Sequence, residues 1–158
     1  MGSDLFDQLV FVRQATLKTM EGVSEELADR IPDGFRNSIR WQFGHIYTVL
    51  ERLAFKAVRL ELNLPQGYKD MFEYGTLPPA ASGDVAVPSL SELRDLLSGQ
   101  PNRIRDALAG RLEEEVEPYT TSTGITLATP RQFLQMNLYH EGMHQSMIKA
   151  YKTILNRI

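Results

Sequence analysis

The 158-residue sequence contains no cysteine. Disulfide frameworks, thiolate metal sites and cysteine nucleophiles are therefore excluded, and any bound metal must be held by His, Asp, Glu or water. Long apolar runs are missing too. The longest fall far short of the roughly 20 residues that span a bilayer, so neither a transmembrane segment nor a membrane partner is expected. Met1-Gly2-Ser3-Asp4-Leu5-Phe6 carries neither the basic stretch nor the apolar core of a secretory signal, which predicts a cytoplasmic protein. Positive charge is not in excess: seventeen Lys and Arg against twenty Asp and Glu give a formal net charge of −3. That balance argues against a nucleic-acid partner bound through bulk charge.

With 42% hydrophobic and 23% charged residues, the composition is that of an ordinary folded domain, and one domain over residues 1–158 is expected. At this size a chain buries roughly 68–70% of its unfolded surface and needs no metal or disulfide to fold. A metal, if bound, would serve chemistry.

Four segments carry helical periodicity. In the first, Leu5, Phe6, Leu9, Val10, Val12, Leu17 and Met20 recur at three- and four-residue steps, predicting a helix to about Leu27 that Ile31-Pro32-Asp33-Gly34 stops. The second starts after Asn37 or Ser38, either of which can cap it, and runs through Trp41, His45, Val49, Leu53 and Ala57 to Leu60. From Leu64 to Pro88 the breakers Pro65, Gly67, Gly75, Pro78, Pro79, Gly83 and Pro88 predict a long irregular connection, of the kind that often serves function. Ser89-Leu90-Ser91-Glu92 is a capping box that opens the third helix, and Pro101 within it predicts a kink or break. Thr120 to Leu127 has β-branched residues around Gly124, the pattern of a short hairpin or an extended connection. Thr129, Pro130 and Gln132 then start a last helix that runs nearly to the end. The fold class is all-α: an antiparallel four-helix bundle with a long connection between its second and third helices.

The three histidines all fall inside predicted helices. His140 and His144 stand at i and i+4 in His140-Glu141-Gly142-Met143-His144, so their rings leave one helical face a turn apart and can chelate one ion. Phe133, Met136, Met147 and Tyr151 on that face turn it toward the bundle interior. His45, flanked by Trp41 and Val49, can complete the set from the second helix. Three neutral imidazoles on facing helices form a cap that leaves coordination positions open, the pattern of a catalytic site. Gln42, Asn137 and Glu141 are candidates to orient the rings. A single inward-facing His is more often an ordinary core residue, but an i, i+4 pair with a third His across the bundle favours metal binding. His140-Glu141-x-x-His144 is also a literal zincin string with Glu141 as general base; against that reading, Met147 to Ile158 offers no third His, Asp or Glu ligand. Trp41 reads as core or pocket lining, and Glu113-Glu114-Glu115 with Glu117 as a solvated turn.

Asn37-Ser38-Ile39-Arg40-Trp41-Gln42-Phe43-Gly44-His45-Ile46 and His140-Glu141-Gly142-Met143-His144 together resemble the DinB superfamily of metal-binding four-helix bundles, including its YfiT-like members. The likeness extends over essentially the whole chain. It implies that His45, His140 and His144 are the ligands of a divalent zinc, nickel or iron ion. It further implies a thiol-dependent S-transferase or related hydrolase, in which the ion activates a low-molecular-weight thiol toward a small-molecule electrophile. Members often read His-x-Gly-Gln at the last ligand, where this chain reads His144-Gln145-Ser146-Met147. The alternative is a non-catalytic metal- or ligand-binding bundle, and homodimers are common in the family.

Overall fold

The computed structural model describes residues 3–78 and 85–156; of the breakers in the long connection, Pro79 and Gly83 lie outside them. Four long helices form the bundle: α1 (Ser3–Lys18), α3 (Ile39–Glu51), α5 (Leu90–Leu108) and α6 (Pro130–Leu155), with short α2 (Glu25–Asp29) and α4 (Tyr68–Phe72) between them. Two residues on each side, Tyr119–Thr120 (β1) and Thr126–Leu127 (β2), pair antiparallel as a small hairpin. None of the described helices is long and apolar enough to cross a membrane.

The first helix is shorter than its apolar spacing predicts. Gly22 adopts φ +72°, a left-handed conformation that terminates helices, and the Ser24 hydroxyl accepts from Leu27 N at 3.1 Å to cap a separate helix, α2. The second also stops early as an α-helix. From Arg52 to Lys56 it widens into a π-helical turn, and Arg59 at φ +58° ends it. Part of the connection predicted as irregular is helical: Gly67, at φ +82°, leads into α4, which packs on α3.

Ser38 caps α3, the Ser89–Glu92 capping box opens α5, and Thr129 with Pro130 starts α6, as their sequences require. Pro101 does not break α5, which continues through it. Proline removes the N–H that would serve the carbonyl of Leu97, and Arg13 Nη1 donates to that carbonyl instead, at 2.7 Å.

Side-chain pairings set the directions of the helices. Arg105–Asp7 and Arg13–Gln100 make α1 and α5 antiparallel; Gln42–His144 and His45–His140 do the same for α3 and α6. Arg40–Pro88 and Gln100–Tyr47 show α3 and α5 running parallel, which the long connection between them permits. One apolar cluster therefore joins the end of α1 to the start of α3, the start of α5 and the end of α6, with Ile39, Phe43, Leu93, Leu97 and Ile148 fully buried. A second cluster, around Leu9, Leu50, Ile104, Leu108 and Leu134, fills the opposite end.

A polar brace lies between the clusters. Arg13, 2% exposed, donates from Nε and Nη2 to the two oxygens of Glu141, 1% exposed, at 2.7 and 3.1 Å, and from Nη1 to Gln100 Oε1 at 3.0 Å. Gln100 Nε2 donates onward to Tyr47 O and to Glu51 Oε2, which Arg103 also holds. Buried charge is tolerable only when paired and hydrogen-bonded; here the pairing crosses all four long helices.

Candidate metal centre

α3 presents His45 in its middle, and α6 presents His140 and His144 one turn apart against it. Their Nε2 atoms converge: His140 Nε2 lies 3.2 Å from His45 Nε2 and 3.1 Å from His144 Nε2. One ligand atom from each of the three lies within 4.8 Å of those of the others. His45 is buried, whereas His140 and His144 are partly exposed as residues.

The outer nitrogens fix the tautomers. His45 Nδ1 is 2.6 Å from the carbonyl of Phe72 in α4, and a carbonyl only accepts, so Nδ1 carries the proton and Nε2 a lone pair. His144 Nδ1 is 2.5 Å from Gln42 Oε1; Gln42 is oriented by its Nε2, which donates to Asn37 Oδ1 at 2.8 Å. His144 Nε2 therefore also presents a lone pair. His140 Nδ1 is buried without a hydrogen-bond partner among the described residues. If His140 carries its proton on Nδ1, three lone pairs face one another; if on Nε2, one proton serves two acceptors and Nδ1 is left bare. Neither tautomer pairs all the lone pairs that meet at the Nε2 atoms, whereas a cation among them would engage all three.

The spacing fits such a cation. Ligand nitrogens about 2.0–2.1 Å from a tetrahedral zinc lie about 3.3 Å apart, close to the separations of 3.1 and 3.2 Å found here. Electrostatics keep the donors neutral. Burial lowers all three pKa values: His140 falls to about 4, helped by His45 and Arg52, and His144 to about 3, helped by His140 and His45. Neutral imidazole is the form that binds metal.

Trp41, one turn before His45, stacks on its ring at 4.5 Å and 14°, and donates from Nε1 to Thr76 Oγ1 at 2.9 Å. Of the residues expected to orient the rings, Gln42 does so. Asn137 makes no hydrogen bond to a His among the described residues; its Nδ2 donates to Glu141 Oε2. Glu141 points away from the cluster, with its oxygens accepting from Arg13, Thr16 and Asn137. A carboxylate so engaged on α1 is not placed as a zincin base.

Sequence reasoning did not identify the Phe72 carbonyl, Arg52 or Glu73. A backbone acceptor has no sequence signal. Arg52 did have one, its i+7 spacing from His45. Glu73 follows Phe72, and its Oε1 accepts from Arg52 Nε at 3.0 Å.

Residues 8–148 match the family model of the DinB superfamily. The chain belongs to the DinB superfamily. No curated protein matches the sequence. A crystal structure of a conserved protein from Enterococcus faecalis superposes on this DinB chain with a TM-score of 0.71, covering 100% of this chain and 98% of that one at 14% identity. At that identity the likeness shows a shared fold.

Proposed function

We propose that His45, His140 and His144 hold a divalent ion, and that the protein is a metal-dependent enzyme transferring a small thiol to an electrophile, or a related hydrolase. The observation that carries this reading is the convergence of three Nε2 atoms whose lone pairs no arrangement of the cluster's own protons pairs in full. Zinc, nickel and iron all accept three imidazoles, and availability decides among them more than ligand type does. A bound divalent ion would lower the pKa of a coordinated thiol or water and so supply a nucleophile at neutral pH; a chain with no cysteine must take its thiol from solution. The Phe72 carbonyl and Gln42 orient two of the ligands, and Trp41 covers the face of His45. Three protein ligands leave a position for substrate. We place the enzyme in the cytoplasm, acting on small molecules.

Elemental analysis of untagged protein, beside His140→Ala, tests the reading. Near-stoichiometric metal that falls away in the variant supports it. No metal in either protein after exposure to zinc and nickel overturns it. Metal without turnover of any thiol–electrophile pair would reduce the reading to a metal-binding bundle.

A further inference from the structure

The charge balance of the cluster, and one arginine beside it, point to the chemistry of its ligand. The only carboxylate adjoining the histidines in sequence, Glu141, is neutralised by Arg13. The imidazoles themselves are neutral. Glu73, the other carboxylate near His45, is paired with Arg52, so a divalent ion held there would gain no carboxylate ligand among the described residues.

Arg52 adds to this. Residues 45, 49 and 52 follow i, i+4, i+7 from α3 to its C-terminal cap, Arg52 still having α-helical backbone angles, and share a face. Helical side chains lean toward the N-terminus, so the stem of Arg52 runs back toward His45. A second tether gives the same placement: Arg52 Nε donates to Glu73, and Glu73 adjoins Phe72, whose carbonyl holds His45. The Arg52 side chain is 37% exposed, and Nη1 and Nη2 form no hydrogen bond among the described residues. That leaves two parallel N–H donors, the fork that matches a carboxylate.

We infer that the site takes a carboxylate-bearing ligand whose carboxylate docks on the terminal nitrogens of Arg52 while its other end reaches the three-histidine cluster. The inference rests on the metal reading above. Glu73 holds Arg52 in place through Nε and leaves the fork open.

The test uses the full chain loaded with cobalt(II), whose visible spectrum reports the ligand field, and two thiols of equal length: 3-mercaptopropionate and its neutral amide. Sulfur-to-cobalt absorption gives each affinity. The acid should bind about tenfold or more tighter than the amide, the effect of a charge-assisted hydrogen bond. Arg52→Gln should bring the ratio to about one in a protein that still folds and binds cobalt. Arg52→Gln/Glu73→Gln removes any repulsion from a released Glu73 carboxylate, and the ratio should stay near one. Equal binding of acid and amide by the parent protein overturns the inference and leaves the metal reading intact, as does a preference that survives Arg52→Gln or returns in the double variant. Failure to bind cobalt at all overturns both.

Discussion

Arg13 and Pro101 are complementary across the α1–α5 interface: the proline withholds an N–H from the carbonyl of Leu97, and the arginine supplies one, at 2.7 Å. The same guanidinium forms a two-point pair with Glu141, the neighbour of His140. Arg13→Leu would leave the Glu141 carboxylate buried without its counter-ion, at a cost of about 3–5 kcal/mol. Arg13→Leu/Glu141→Leu should recover much of that loss, because no buried charge then remains. Guanidinium denaturation of the parent and the two variants measures both differences. Equal destabilisation in the single and double variants would show that the brace contributes through packing instead.

Pro101 gives a separate test. A proline inside an isolated helix costs about 3 kcal/mol against alanine, part of which is the orphaned carbonyl. In α5 that carbonyl is already satisfied by Arg13. Pro101→Ala should therefore stabilise the protein by clearly less than about 3 kcal/mol, and it should weaken the response to Arg13→Leu, since Leu97 then has an alternative donor. The coupling is read from a double-mutant cycle.

Gln42 should matter for metal affinity more than for folding. Its Oε1 accepts from His144 Nδ1, which holds the ring with Nε2 inward. Gln42→Leu should weaken zinc binding about 10–100-fold, the usual cost of losing the group that orients a ligand, as measured by competition with a chromogenic chelator. An unchanged affinity would mean that packing alone orients His144.

The buried imidazoles make the metal-free protein sensitive to acid. His140 and His144 titrate at about 4 and 3 in the folded chain, below the value near 6.5 of an unfolded histidine. Between those limits the unfolded chain binds more protons, so stability is fully present above about pH 6.5 and falls as the pH drops toward 4. Melting temperatures of the metal-free protein should decline through that window. His140→Phe/His144→Phe should flatten the decline, and an equal slope in the two proteins would assign the acid sensitivity to the carboxylates.

Much of this was legible in the sequence because it depends on local chemistry. Ser89–Glu92 and Thr129–Pro130 satisfy helix ends within four residues, and His140 and His144 share a face by spacing alone. What was not legible depends on partners far along the chain. The helix through Pro101 survives because of a side chain 88 positions earlier; α4 exists where the breakers predicted none, because Gly67 takes a left-handed turn and Phe72 packs against α3. Arg13 did leave a trace, as a charged residue at an inward position of the Leu5–Leu9–Met20 stripe. Its partner Glu141 was masked by the zincin string, where the same residue reads as a base.

Gly44 is the position where fold and candidate site meet most closely. A Cβ added there would fall on the ring of Phe72, which is fully buried, and the carbonyl of that same residue accepts from His45 Nδ1 at 2.6 Å. Alanine would gain up to about 1 kcal/mol of helix propensity, but overpacking a filled core costs about 1–3 kcal/mol, so Gly44→Ala should be destabilising. It should also displace α4 and with it the acceptor that orients His45, lowering zinc affinity. Gly142→Ala is the matched control. It lies on α6 between His140 and His144, and an added Cβ there meets nothing within 4 Å; it should stabilise by about 0.4–1 kcal/mol and leave zinc affinity unchanged. If Gly44→Ala destabilises the protein yet binds zinc as the parent does, the Phe72 carbonyl is dispensable to the site, and the orientation of His45 belongs to the stacked ring of Trp41 alone.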